Sequence, residues 1–275
     1  MRQRRSIAVH GVCRDRSGRV LLARVGGGWE LPGGRVAQGE HPNNALVRGF
    51  GDETGLIARI VKLRDVTFDL AVQGDEVVHT DRIRYDVRVP ARPPGKGAQW
   101  ADPATVPRLL GEPAGQPGIP PAEPFRDPAA RTMQRFAAYG LTTDPAGRVL
   151  LTRIAPGYPG ANTWHLPGGG TDFGEPADIG LLRELVEETA QHGRVTGLLD
   201  VGHYHNPRAL GPEGHPMDWH TVRTLYRVVV DEPGVPSVVE AAGGSTAEAA
   251  WFDRADLGKL PLNEFARRAF AHHLD

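Results

Sequence analysis

The sequence predicts two tandem α/β domains of one architecture, joined by a proline-rich connector. Three observations lead there. Four blocks of residues recur in the same order in the two halves. Each half mixes short β-branched runs with helical patterns. The stretch between them is crowded with prolines. The chain has 275 residues, room for one large domain or two ordinary ones, and the repeat decides for two. Apolar residues make up 40% and charged residues 24%, which suits buried cores and not a disordered tail.

The first block, Asp15-Arg16-Ser17-Gly18-Arg19-Val20-Leu21-Leu22-Ala23-Arg24, resembles Asp144-Pro145-Ala146-Gly147-Arg148-Val149-Leu150-Leu151-Thr152-Arg153. Trp29-Glu30-Leu31-Pro32-Gly33-Gly34 resembles Trp164-His165-Leu166-Pro167-Gly168-Gly169. His79-Thr80-Asp81-Arg82 with Tyr85 matches His220-Thr221-Val222-Arg223 with Tyr226. Trp100 and Trp251 each follow a short polar stretch. Between the copies stand Pro113, Pro117, Pro120, Pro121, Pro124 and Pro128. Proline fixes φ and withholds a donor, so an extended, semi-rigid connector is expected. The domains are then 1–112 and 130–275, with the linker at 113–129.

Each element has its own signal. Val20–Leu22 and Val149–Leu151 are apolar runs after an Asp-x-x-Gly turn, a hairpin signature. Ile83–Val89 and Val222–Val230 are β-branched runs that read as strands. Asp178–Thr189 reads as a helix, with Ile179, Leu182, Leu185 and Val186 on its expected buried face. A terminal helix, Asn263–His273, is expected to bury Phe265 with Ala269 or Phe270.

Charge and composition narrow the function. Lys+Arg total 32 against 33 Asp+Glu, a balance that argues against a basic nucleic-acid binder. No helix-turn-helix pattern follows the second domain, so a DNA-binding regulator is not expected. The single cysteine, Cys13, precludes an internal disulfide or a cysteine-only zinc site and fits a reducing, cytoplasmic setting. No apolar run approaches the roughly 18 residues that a bilayer span needs, so no membrane partner is expected. The basic start, Met1-Arg2-Gln3-Arg4-Arg5, lacks the apolar core of a signal peptide.

The chemistry concentrates on one helix. Gly169-Gly170-Thr171-Asp172-Phe173-Gly174-Glu175 is followed after seven residues by Arg183-Glu184-Leu185-Val186-Glu187-Glu188-Thr189. Glu184, Glu187 and Glu188, at helical spacings of three and four, crowd within an arc of roughly 100°. Like charges at this spacing destabilise a helix, and a hard divalent cation would turn the repulsion into ligation. A lone Glu-Glu pair would read as a solvated acidic face. The Gly-rich turn at a fixed distance and the preceding Arg make the whole pattern a motif.

That spacing resembles the box of the Nudix hydrolases, and the resemblance extends over both halves of the chain. It implies α/β/α sandwich domains with mixed sheets and hydrolysis of a nucleoside diphosphate linked to another moiety, by water attack at phosphorus. It implies Mg²⁺ or Mn²⁺ held by Glu184, Glu187 and Glu188, with the Gly168 carbonyl as a further ligand. Arg183 is expected to position the box carboxylates through Glu175. A carboxylate must take the proton from water, and Glu184 and Glu248 are the two candidates. Glu248 reads equally as an exposed loop acid.

Ala190 and Gln191 depart from the box, where a Gly and an apolar residue belong. Without a cap glycine at 190, the helix is expected to run two or three residues further and to be capped by Gly193 instead.

The N-terminal copy departs more deeply. Gly34 to Glu40 is followed by Arg48-Gly49-Phe50-Gly51-Asp52-Glu53-Thr54-Gly55-Leu56. Gly49 replaces Glu184, Asp52 replaces Glu187, and Gly97 stands for Glu248. A catalytically dead copy is expected, bracing the second domain or shaping its substrate site. Nudix enzymes are often homodimers, so the two copies are expected to pair within the chain or the chain to dimerise.

Specificity is expected in the longer loops of the second copy, at Ile154–Thr163 and around His203–His220. Tyr204, Trp219 and Tyr158 are candidates to stack on a nucleobase, with loop anchoring as the alternative, and Arg153 is a candidate substrate contact. His203, His205, His215 and His220 suggest zinc, but no companion cysteine exists and surface histidines are common, so zinc is not expected. Pro207, about 16 residues past the box, resembles a mark of the ADP-ribose branch. The leading expectation is an Mg²⁺-dependent hydrolase of ADP-ribose or a nucleotide sugar. A nucleoside-triphosphate pool cleaner and a non-catalytic nucleotide sensor remain as alternatives.

Overall fold

The computed structural model describes residues 1–110, 132–210, 215–239 and 244–274. The connector expected at 113–129 lies outside the described residues. The chain divides into two compact units: Met1–Phe136 with Gly202–Val222, and Ala137–Val201 with Arg223–Asp275.

The first unit opens with β1 (Arg2–Cys13), β2 (Val20–Val25), β3 (Gly28–Glu30) and β4 (Gly33–Arg35), then α1 (Pro42–Thr54). It continues with β5 (Arg59–Gln73), β6 (Glu76–Arg88), β7 (Ala98–Ala101) and a short α2 (Val106–Leu110). One sheet has the order β4-β1-β6-β5 and another β3-β2-β7. β1 runs parallel to β6 and antiparallel to β4, so the sheet is mixed. Residues Ser6 to His10 are buried without alternation, as a central strand covered on both faces should be. Phe50 of α1 fills the space over Gly11, where a Cβ would lie 2.8 Å from its ring.

In chain order the second half supplies β8 (Thr132–Thr143), β9 (Val149–Ile154), β10 (Trp164–His165), β11 (Gly168–Gly170) and α3 (Ala177–Thr189). Then come β12 (Arg194–Leu210), β13 (Pro216–Val229), β14 (Thr246–Phe252), a 3-10 turn (Arg254–Lys259) and α4 (Glu264–His273). The sheet order is β10-β9-β8-β13-β12, with β11 on β8 and β14 on β9. The Asp-x-x-Gly turns repeat in detail: Gly18 N–H donates to Asp15 O and Gly147 N–H to Asp144 O, each at 3.0 Å.

The core of the second unit gathers Leu141, Leu151, Trp164, Leu166, Leu225 and Leu262 under α4. Its buried residues are Ala266 and Ala269, while Phe265 and Phe270 pack partly buried at the margin. The expected burial of Phe265 is therefore only partial. Asn263 caps α4, its side chain accepting from the Ala266 N–H at 2.8 Å.

Two expectations for α3 are corrected. Its buried residues are Ala177, Gly180, Leu181, Leu185, Glu188 and Thr189, whereas Ile179 is 52% exposed. The inward face is thus rotated, and a glutamate lies on it. The helix also ends at Thr189 and does not continue to Gly193. Ala190 itself takes the left-handed conformation, φ 54°, and its N–H closes onto Val186 O at 2.8 Å. Gly55 makes the same cap at α1 with φ 68°. Neighbours hold the strained alanine. Ser237 and Val239 donate to the carbonyls of Thr189 and Glu187 at 3.1 and 2.9 Å, and the Gln191 amide reaches Thr189 O at 3.2 Å. Ala190→Gly should relieve the Cβ clash and raise stability by about 1 kcal/mol, read as a higher urea midpoint.

Candidate active site

The helix and the strand before it build the site. Gly168 has φ 130°, and a Cβ there would collide with the Ala138 carbonyl of β8, so glycine serves close strand packing at this position. That packing brings β11 beneath α3. The carboxylate of Glu184 lies over Gly169, where a Cβ would fall 2.8 Å from the Glu184 carboxyl carbon.

Arg183 organises the acids. Its Nε and Nη2 donate to the two Glu175 oxygens at 3.0 and 3.2 Å. Its Nη1 donates to Glu184 Oε1 at 3.1 Å and Glu187 Oε2 at 3.0 Å. Nη2 also reaches the Gly170 carbonyl at 3.2 Å, and Asp172 stands 3.9 Å from Nε. The bonds to Glu175, followed by the charges of the other acids, push the guanidinium pKa further up, so the group stays charged. Glu184 and Glu187 therefore converge on Arg183 Nη1, which already places one positive charge between them.

Glu188 does something else. It is 1% exposed, accepting from the Gly168 N–H at 2.8 Å and from Thr246 Oγ1 at 2.5 Å. Two residues beyond Thr246, Glu248 pairs with Arg153 across the β9–β14 ladder at 2.8 Å. A candidate base and a candidate substrate contact are thus partners of one another, about half exposed. Tyr158 lies in the turn after β9 and is 41% exposed. Tyr204, 42% exposed, and Trp219 belong to the first unit. The Trp219 indole N–H donates to Thr221 Oγ1 at 2.7 Å, and Arg135 lies 5.3 Å over its ring. Thr246 was not among the sequence candidates; its only signal was its place just before Glu248.

The donor set is of the kind a hard cation takes, carboxylate oxygens, two of which Arg183 Nη1 gathers. Among the described residues, no three His, Cys, Asp or Glu side chains form a cage for a metal by themselves. Mg²⁺ does not ask for one, since one or two carboxylates with waters and substrate phosphates suffice. The residues present therefore fit such an ion.

The N-terminal copy keeps the frame and loses the opening. Arg48 pairs with Glu40 at 2.8 Å, as Arg183 does with Glu175. Glu53 accepts from the Gly33 N–H at 3.0 Å, as Glu188 does from Gly168. Burial is the chief cause that raises the Glu53 carboxyl pKa. At Gly49 a Cβ would collide with the Gly33 carbonyl oxygen. Helix α1 thus rests directly on β4 and fills the gap that Glu184 occupies in the other copy. Restoring the missing acid should not restore a site. Gly49→Glu is expected to cost 2 kcal/mol or more, about the scale of overpacking, on urea unfolding and to add no hydrolytic activity.

A NUDIX domain profile matches residues 4–120 and 133–274. The chain belongs to the Nudix family. Over 66 residues it is 38% identical to the "Putative 8-oxo-dGTP diphosphatase 2" of Mycobacterium tuberculosis, covering 24% of this chain and 47% of that protein. This Nudix chain therefore spans about half the length of the curated relatives it matches. Solved structures that resemble it include a MutT NUDIX hydrolase from Burkholderia pseudomallei, at 27% identity and TM-score 0.40 over 51% of this chain and 98% of that one. Another is the NUDIX domain of Shewanella oneidensis NrtR complexed with ADP ribose, at 21% identity and TM-score 0.41 over 54% and 90%. No helix among the described residues is long and apolar enough to cross a membrane.

Proposed function

We propose that this Nudix chain is a divalent-cation-dependent pyrophosphohydrolase whose chemistry belongs to the C-terminal copy. Its substrate is a nucleoside diphosphate derivative of the ADP-ribose or nucleotide-sugar kind, cleaved by water attack at phosphorus. The convergence of Glu184 and Glu187 carries the reading. A single guanidinium there faces Asp172, Glu175, Glu184 and Glu187, so negative charge is in excess. Such an excess suits a cation and the phosphates it accompanies.

Glu184 and Glu187 would hold Mg²⁺ or Mn²⁺, with the Gly168 carbonyl as a further ligand the box implies, while Glu188, buried between the Gly168 N–H and the Thr246 hydroxyl, braces the helix end instead of joining them. When bound, such an ion neutralises phosphate charge and acidifies a water molecule. Arg183 keeps Glu184 and Glu187 aimed at one point. Glu184 or Glu248 accepts the proton of the attacking water. Tyr158, Tyr204 and Trp219 are the proposed aromatic contacts for the base, and Arg153 a contact for the substrate's anionic part.

A second reading has its own support. The Mycobacterium tuberculosis relative is named for 8-oxo-dGTP, which favours cleavage of a nucleoside triphosphate to monophosphate and pyrophosphate. One panel decides. The chain is incubated with Mg²⁺ and ADP-ribose, a nucleotide sugar or a deoxynucleoside triphosphate, with Glu187→Gln as control. ADP-ribose giving AMP and ribose 5-phosphate supports the first reading. Pyrophosphate from triphosphates supports the second, and no turnover anywhere favours a nucleotide sensor.

A further inference from the structure

We infer that the loop of the degenerate box, residues 36–41, together with Gln134, has become the receptor for the strand segments 202–210 and 215–222, and that it grips them only while His220 is neutral. All these residues lie in the first unit. In the other copy the equivalent loop leads to the acids of α3; here it serves as a clamp.

The grip is specific. Gln38 Nε2 donates to the Asp218 carbonyl at 3.0 Å. Gly39 has φ +75°, and a Cβ there would lie 2.7 Å from the His205 ring. His41 meets His203 edge-on, with ring centroids 5.0 Å apart. Gln134 Nε2 donates to Val36 O at 3.1 Å, to Ala37 O at 3.3 Å and to His220 Nδ1 at 3.1 Å.

Those carbonyls fix the amide. With oxygen acceptors in the loop, Gln134 must present its nitrogen, so it can only donate to His220. Neutral His220 then carries its proton on Nε2 and donates to His203 Nδ1, 3.2 Å away. A second proton, on His220 Nδ1, would point at an N–H, donor against donor. His41 is bound by the same condition, because its Nδ1 accepts from the Asn43 N–H at 3.1 Å to cap α1. The relay also argues against zinc, since a neutral imidazole ligated through His220 Nε2 would place its proton against the same amide.

The surrounding charges agree. Burial first, then His203 and His205, lower the His220 pKa to about 4, against the weaker pull of Asp218 and Glu40. Glu40 is tied to Arg48 at 2.8 Å. His205 Nε2 lies 2.7 Å from Asp218 Oδ1, and that contact is the chief cause that lowers the Asp218 carboxyl pKa. That pair joins β13 to β12, not the strands to the clamp. Because His220 ionises less readily when clamped than when released, the grip weakens as pH falls from about 6.5 toward 4.

The clamp does not depend on the hydrolytic reading. Hydrogen exchange of the full chain at pH 7.5 and pH 5.0, corrected for intrinsic rates, tests it. Peptides spanning 36–41, 203–210 and 215–221 should exchange at least tenfold faster at pH 5.0, while α3 peptides keep their protection. His220→Gln, which keeps a donor toward His203 and does not titrate, should flatten that step. Gly39→Ala should accelerate the same peptides at pH 7.5, and it tests the clamp even if His220→Gln does not fold. Equal protection at the two pH values, equal loosening of α3, or an unaltered Gly39→Ala pattern would overturn the proposal.

Discussion

Glu187→Gln should lower turnover of the panel substrate by about a hundredfold or more and leave folding stability within about 0.5 kcal/mol. The two halves of this expectation come from the same contacts. Glu187 is 41% exposed, and its recorded partner is Arg183 at 3.0 Å. Arg183 retains Glu175 and Glu184 without it. An exposed, singly bonded carboxylate contributes little to folding. It is one of only two box acids that aim at a common point, so its loss should fall on the chemistry. Steady-state rates with Mg²⁺ and urea unfolding in EDTA measure the two quantities on one preparation.

Glu188→Ala should behave in the opposite way, costing about 3 kcal/mol of stability even with all metal chelated. The side chain is 1% exposed and accepts from the Gly168 N–H and from the Thr246 hydroxyl. Removing it leaves two buried donors without this acceptor, each worth about 1–3 kcal/mol, and a cavity besides. The N-terminal copy supports this assignment. Glu53 makes the same bond to Gly33 although Gly49 has closed the space beside it. A contact that persists where the gap is gone is architectural: it ties the end of the helix to the glycine strand. Thermal unfolding in EDTA measures it, and a stability loss no greater than that of Glu187→Gln would contradict it.

Local signals made much of this legible. The paired Asp-x-x-Gly blocks fixed two turns with the same hydrogen bond, and the apolar spacing placed the start of α3 to within one residue. Four features were hidden, each for a tertiary reason. Periodicity gave the helix a face but assigned charge to solvent. Glu188 points inward because Gly168 and Thr246, distant in sequence, offer it donors. Ala190 takes a conformation its side chain disfavours because segment 231–239 and Gln191 already hold the helix end. The absence of an acid at Gly49 was visible, but not its consequence, since only the fold shows the Gly33 carbonyl in the place of a side chain. The pairing of Glu248 with Arg153 followed from the β9–β14 register, which no local pattern sets.

The most direct test of the account is Mn²⁺ binding by electron paramagnetic resonance on the full chain. Wild type should take up the ion, and Glu184→Gln with Glu187→Gln should abolish that uptake, while Asp52→Asn in the closed copy leaves it unchanged. Wild-type affinity in the doubly substituted chain would contradict the claim that these two carboxylates hold the cation.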